Sequence, residues 1–399
     1  MYKKDRYESE ISVFFYGFIK WILDSCIEKK IKTIYFLTRE GEFYKKVYDQ
    51  IVMREGTNIT PKAEILQVSR LSTYTPSLRG VNISEFMRMW SMYQTQSMNG
   101  FFCSLGLKTD QFKKYLDKYD IDYLEPIQRP WEDHKIRLFL ADKNVIELLE
   151  NSIKHKRSLF YEYCEGKNLR PREDGTIAIV DIGWRGTIQD NLCILFPKKQ
   201  IVGYYLCLES FLNPQPINGF KMGYIDSHHS KIILRYPTPI EMLCNAPGGS
   251  VVGYCKGEAI RKIDKSEEQC YYSFTEETQN RILCGISGMH ERVKIGIPNA
   301  VKYMDDLILN PEKKMVNAFF SLNHNETFGV GKFVKKNMKM TWFLFLGALL
   351  SRKSRSELKY FLWETSWPQG FLVHYHLRYA AWLYNYILKK EFLNEKVCG

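Results

Sequence analysis

The chain has 399 residues, 45% of them hydrophobic and 26% charged, with a formal net charge of +12. That length suits two or three structural units with a substantial core, and the composition excludes disordered, collagen-like and low-complexity classes. Its ten cysteines form no Cys-x-x-Cys pair, which excludes zinc-ribbon and thioredoxin-type sites and points to a reducing cytosol.

The opening MYKKDRYESE lacks the charged-then-apolar order of a signal peptide. Ile11, Phe15, Phe18, Ile19, Ile22 and Cys26 recur at helical spacing, so residues 8–29 are expected to form an amphipathic helix. KTIYFL (32–37) reads as a buried strand, and a helix is expected over Glu42 to Met53. AEILQV (63–68) is a second strand; residues 81–165 read as a mainly helical insertion. After the PREDG turn, TIAIVD (176–181) is a third strand, TIQDNLCILF a helix and QIVGYYLCL (200–208) a fourth strand. Near-continuous apolar strands alternating with helices predict an α/β fold with a parallel sheet covered on both faces. Residues 209–235 are expected to be irregular, PTPIEMLCNAP a short Pro-initiated helix and GSVVGYCKGEAIRK a strand or hairpin. An α/β domain over 1–260 and a mainly helical region over 261–399 follow, the latter interrupted at FSLNHNETFGVG (320–331).

The charge is concentrated. Between Gly331 and Tyr360 there are eight cations and one acid, Glu357, flanking the apolar run MTWFLFLGALL. At eleven residues, that run is shorter than the ~18–20 needed to span a bilayer. It suits either a helix lying on an anionic membrane surface or a core helix that buries Trp342, Phe343, Phe345 and Leu346. No helix-turn-helix, RNP or zinc-finger pattern supports nucleic acid as a partner. His228-His229 read as an exposed loop, and His374 and His376 as no metal site. Asp305-Asp306 read as a solvated face, and the Trp363–Gly370 segment as core packing rather than a sugar-stacking platform.

In an open parallel sheet, ligands bind outside the carboxyl ends of the strands. Three strands end in polar turns: Thr38-Arg39-Glu40-Gly41, Ser69-Arg70-Leu71-Ser72-Thr73 and Asp181-Ile182-Gly183-Trp184-Arg185-Gly186-Thr187. If these strands are neighbours, the turns meet at one rim. Asp181 and Glu40 are then the candidate catalytic carboxylates. Arg39, Gly41, Ser69, Arg70, Gly183, Trp184, Arg185, Gly186 and Thr187 are the candidate substrate and phosphate contacts. Gly183 and Gly186 admit positive φ and close approach of a ligand, and Thr187 lies where a helix start favours an anion. Arg39 and Arg185 can fork onto phosphate; Asp181 can hold a sugar diol or a metal such as magnesium that bridges phosphates.

IYFLTREGEFYKKVYD, VSRLST, IAIVDIGWRGTIQDNL and TPIEMLCNAPGGSVVGY resemble, in this order, the C-terminal region of bacterial surface-polysaccharide proteins labelled HAD-superfamily hydrolases. The resemblance covers roughly residues 10–260. Where that family has Asp, this chain has Glu40. The hydrolase label belongs to a separate HAD domain that needs a strand-terminal Asp-x-Asp, and no strand here ends so; a phosphatase is the least favoured function. A weaker similarity, in the strand–Asp–Gly-Thr–helix order, is to phosphoribosyltransferase-like (Rossmann-like) folds. Together these imply a cytoplasmic enzyme of capsule or O-antigen biosynthesis, a transferase handling a phosphorylated or nucleotide-activated sugar. The alternative is a non-catalytic scaffold of a glycan-assembly complex at the inner face of the cell membrane.

Overall fold

The computed structural model describes residues 3–56, 60–289, 297–325, 333–335, 343, 345, 347 and 351–397. Helix α1 (Lys3–Glu28), strand β1 (Thr33–Leu37), α2 (Gly41–Glu55), β2 (Lys62–Leu66) and α3 (Arg70–Ser77) alternate at the start. The insertion follows: α4 (Ile83–Trp90), β3 (Thr95–Gln96), α5 (Met98–Ser104), α6 (Lys113–Lys118), β4 (Ile127–Gln128), α7 (His134–Ala141) and α8 (Lys143–Glu165). Then come β5 (Gly175–Asp181), α9 (Thr187–Leu195), β6 (Lys199–Cys207), β7 (Gly219–Ile225), α10 (Lys231–Arg235), α11 (Thr238–Cys244) and the antiparallel hairpin β8 (Ser250–Cys255)–β9 (Glu258–Lys262). The C-terminal part holds α12 (Lys265–Cys270), α13 (Glu276–Ser287), α14 (Ile297–Leu309), α15 (Lys313–Phe320), β10 (Asn323–Asn325), β11 (Phe333–Lys335), α16 (Arg352–Glu364), α17 (Pro368–His374) and α18 (Arg378–Val397).

The sheet has five strands, all parallel, in the order β2-β1-β5-β6-β7. The expected α/β architecture is therefore present, with all four expected strands in it. Strand periodicity sorts their side chains into two layers. Ile34, Phe36, Ala178, Val180, Val202 and Tyr204 face one cluster with α1, α2 and the C-terminal helices; Tyr35, Leu37, Ile177 and Ile179 face another with α8, α9 and the β8–β9 hairpin. The insertion has its own aromatic core, in which Phe102 stacks on Phe112 at 4.3 Å. The first cluster runs from α1 through the sheet to Trp367 and Phe371, so the C-terminal helices share the core of the sheet. A buried bond from the Ser12 hydroxyl to the carbonyl of Ile282, 3.0 Å, ties α1 to α13.

Three readings are corrected. Residues 209–235 are not irregular: they supply the edge strand β7 and α10. Gly219 and Gly223 dilute the strand's pattern, but both are required, since a Cβ at either would lie 2.9 Å or less from Cys193 or Leu208. Of the pair Asp305-Asp306 only Asp306 is exposed; Asp305 accepts a 2.5 Å bond from Ser230, and burial lifts its carboxyl to about 6. Of the pair in the Trp363–Gly370 segment, Trp367 is core, while Trp363 is 62% exposed. His228 and His229 are exposed. The core-helix reading of the apolar run falls mostly outside the described residues, Trp342 and Leu346 included. Within them Phe343 is 86% exposed and Phe345 packs partly against the core.

Candidate functional site

The register places the ends of β2, β1 and β5 side by side, with β1 in the middle. Thr38 locks two of these ends: its hydroxyl donates to the Leu66 carbonyl and accepts from the Val68 N–H, each at 3.1 Å. Gly41 then lets α2 fold back onto β1, because a Cβ there would lie 2.7 Å from the carbonyl carbon of Phe36. Gly183 holds φ 143° with its α-carbon pressed on β6; a Cβ would lie 2.1 Å from the Cys207 carbonyl oxygen. Gly186, at φ 67°, is the cap from which α9 starts.

The three turns bring Asp181 into electrostatic range of Glu40 and Arg70, and Glu40 into range of Arg39. Asp181 is buried, and its carboxyl is pushed up to about 8, first by burial and then by the neighbouring Glu40. The Ile182 N–H, 2.8 Å from Asp181 Oδ1, and the Arg70 guanidinium pull the other way. Glu40 is also buried and raised, chiefly by burial, with Arg39 opposing. Glu241 adds negative potential to both carboxylates.

Several predicted contacts are already engaged. Arg39 forms an ion pair with Glu267. Arg185 pairs with Glu209 at 2.9 Å, while its Nε is buried with no hydrogen-bond partner among the described residues. Ser69 caps α3, accepting from the Ser72 N–H at 3.0 Å, and donates to the Val251 carbonyl at 2.7 Å. Trp184 donates from its indole to Glu241 at 2.6 Å. Arg70 and Thr187 stand at the start of their helices and line a groove of about 630 Å³. Its walls are α3, α4, α9 and residues 213–218, and it also presents Arg79 and Arg88. Asp181 and Glu40 are not among the residues that line it.

Sequence reasoning missed Glu209, Glu241 and Glu267, the carboxylates that hold this rim. It also missed Lys221, which reaches Asp190 at 2.6 Å and the Arg185 carbonyl at 3.0 Å behind Gly186. Only Glu241 carried a signal, as the lone charge in an apolar Pro-initiated helix. Among the described residues, no three His, Cys, Asp or Glu side chains are grouped to hold a metal ion. Compared with protein-family models and with curated proteins, the chain matches none.

Proposed function

We propose that the protein is an enzyme acting on a phosphorylated or nucleotide-activated sugar, as a transferase in bacterial surface-polysaccharide assembly. The observation that carries this reading is a buried Asp181 held near pH 8 beside buried Glu40 and within the field of Arg70, at the carboxyl edge of a parallel sheet. Perturbed carboxyl pairs of this kind suit proton transfer at neutral pH. Arg70, which lines the groove, takes the phosphate, and protonated Asp181 behind it is the proton reservoir to which Arg70 couples the groove. A protonated Asp181 is no nucleophile for phosphoryl transfer, which counts against a phosphatase. The test is thermal stabilisation by a panel of phosphosugars and nucleotide sugars. A compound at a hundred times its dissociation constant should add about 2.7 kcal/mol to the wild type, and Arg70→Ala should respond less. If no compound stabilises the protein, or the variant responds equally, the reading falls.

A specific surface favours work at a membrane, whether as enzyme or as scaffold. On α18, Tyr379, Trp382, Leu383, Tyr386 and Ile387 form an exposed stripe at helical spacing, with Tyr379 at 79% and Trp382 at 56% exposure. Tyr360 and Trp363 of α16 are exposed as well, and Lys359 of α16 joins Glu391 of α18 at 2.7 Å. Over residues 351–392, seven cations face three acids. Exposed Tyr and Trp amid positive charge match the interface of an anionic bilayer, whereas a second copy of this face would meet like charge. No described helix is long and apolar enough to cross a membrane, so the attachment is peripheral.

A further inference from the structure

A second cavity, of about 470 Å³, lies across α3 from the arginine-lined groove. Arg70 and Tyr74 of α3 line the groove; Leu71, Ser72 and Pro76 of the same helix line the cavity. Its other walls come from the insertion and from the β8–β9 hairpin, whose register shifts between Val251 and Gly253. The volume is that of a small-molecule site.

The lining has a one-sided charge. It contains Lys108, His155 and Lys156 and no Asp or Glu. Lys156 makes no ion pair or hydrogen bond among the described residues, and burial alone acts on its amine, lowering its pKa. Gly106 leaves it room: a Cβ there would lie 3.0 Å from the Lys156 Nζ. An ammonium drawn out of water without a carboxylate is costly unless an anion completes it. Around it, Leu159, Val252 and Ile260 supply apolar walls. Three cationic or protonatable groups suit a dianion better than a carboxylate, and the walls suit a ring.

We propose that this cleft is a second binding site, for a phosphate monoester with an apolar or ring-shaped body, and that the Lys156 ammonium is its principal charged contact. The site stands independently of the reading of Asp181 and Arg70. Calorimetric titration with phenyl phosphate, inorganic phosphate and neutral phenol tests it on the full chain. Phenyl phosphate should bind more tightly than either of the others. Lys156→Gln should weaken it about tenfold, the loss of one charge-assisted bond, and Lys156→Arg should restore much of the affinity. Arg70→Ala should leave it unchanged. Because Lys156 has no partner to lose, the Gln variant should melt no lower than the wild type. Absence of phenyl phosphate binding at millimolar concentration, unchanged binding by Lys156→Gln, or loss on Arg70→Ala would each overturn the proposal.

Discussion

The strand rim and the α16–α18 face break the usual distribution of polar and apolar groups in opposite directions. At the rim, Asp181 and Glu40 are carboxyls withdrawn from water; on α18, Tyr379, Trp382 and Tyr386 are rings left in it. The first arrangement costs desolvation, and the rim answers with partners: Glu267 for Arg39, Glu209 for Arg185, Glu241 for Trp184. On the helical face the cost is hydration of apolar surface, which nothing within the described residues offsets. A stable fold tolerates such departures where something else is gained, which is why both regions are the ones to test for a ligand or a surface. The rim's carboxyls lie inside the fold, whereas the rings of the helical face stand in water.

The largest effect should come from closing the rim's tightest contact. Gly183→Ala places a Cβ 2.1 Å from the Cys207 carbonyl at φ 143°. It should cost at least ~3 kcal/mol in urea unfolding; a near-neutral result would mean that the turn is not wedged against β6.

Asp181→Asn sharpens the comparison through pH. The folded protein keeps the Asp181 proton to about pH 8, whereas an ordinary aspartate loses it near 3.8. The stability this group contributes is complete below the lower value and is lost as pH rises to the upper one. Asparagine keeps the shape of the protonated acid without that loss. The variant should therefore gain on the wild type between about pH 5 and pH 8, by on the order of 2–4 kcal/mol at the alkaline end, while any catalysis disappears. Parallel stability curves for the two proteins across that range would refute the burial of a protonated Asp181.

Arginine substitutions should separate the residue that lines the groove from the one paired outside it. Arg70→Ala should weaken a phosphorylated ligand by about tenfold to a hundredfold, and should move the Asp181 titration still higher, since Arg70 pulls it down. Arg185→Ala breaks a partly exposed pair with Glu209 and should cost under about 1 kcal/mol of stability, with little change in ligand affinity. Equal losses of affinity from both would erase the distinction between the arginine that lines the groove and the one that does not.

The smallest change in stability belongs to the open face. Trp382→Ser with Tyr386→Ser should shift unfolding by no more than about 0.5 kcal/mol, yet should abolish sedimentation with anionic vesicles. Wild-type sedimentation should fall steeply with salt and be absent on neutral lipid. Wild-type protein that stays in the supernatant at low salt would leave the face without a bilayer role.

The buried parallel strands were legible because TIYFL and TIAIVD admit few other conformations. Strand β7 was not, since an edge strand interrupted by Gly219 and Gly223 has neither the alternation nor the apolar run that signals burial. The sequence put the three turns at one rim only on the condition that their strands are neighbours, which the order β2-β1-β5 meets, and it offered Asp181 and Glu40 as the acids there. What their arginines do was hidden, because Arg39 is claimed by Glu267, 228 positions further along the chain. Pairings over such distances leave no local trace. Asp305 was misread for the same reason, its partner Ser230 lying on a different element.

The bond between Ser12 and Ile282 spans 270 positions. At ~5–20 residues per second, a ribosome needs on the order of half a minute to deliver the second partner after the first. Throughout that interval Phe14, Phe15 and Phe18 of α1, all fully buried in the finished molecule, lack the helices α13 and α14 that help cover them. The nascent chain thus carries an aromatic surface of the kind that chaperones bind. A product cut just after Lys262, where the sheet and its hairpin are already complete, would keep that surface for good and should aggregate instead of folding as a smaller domain.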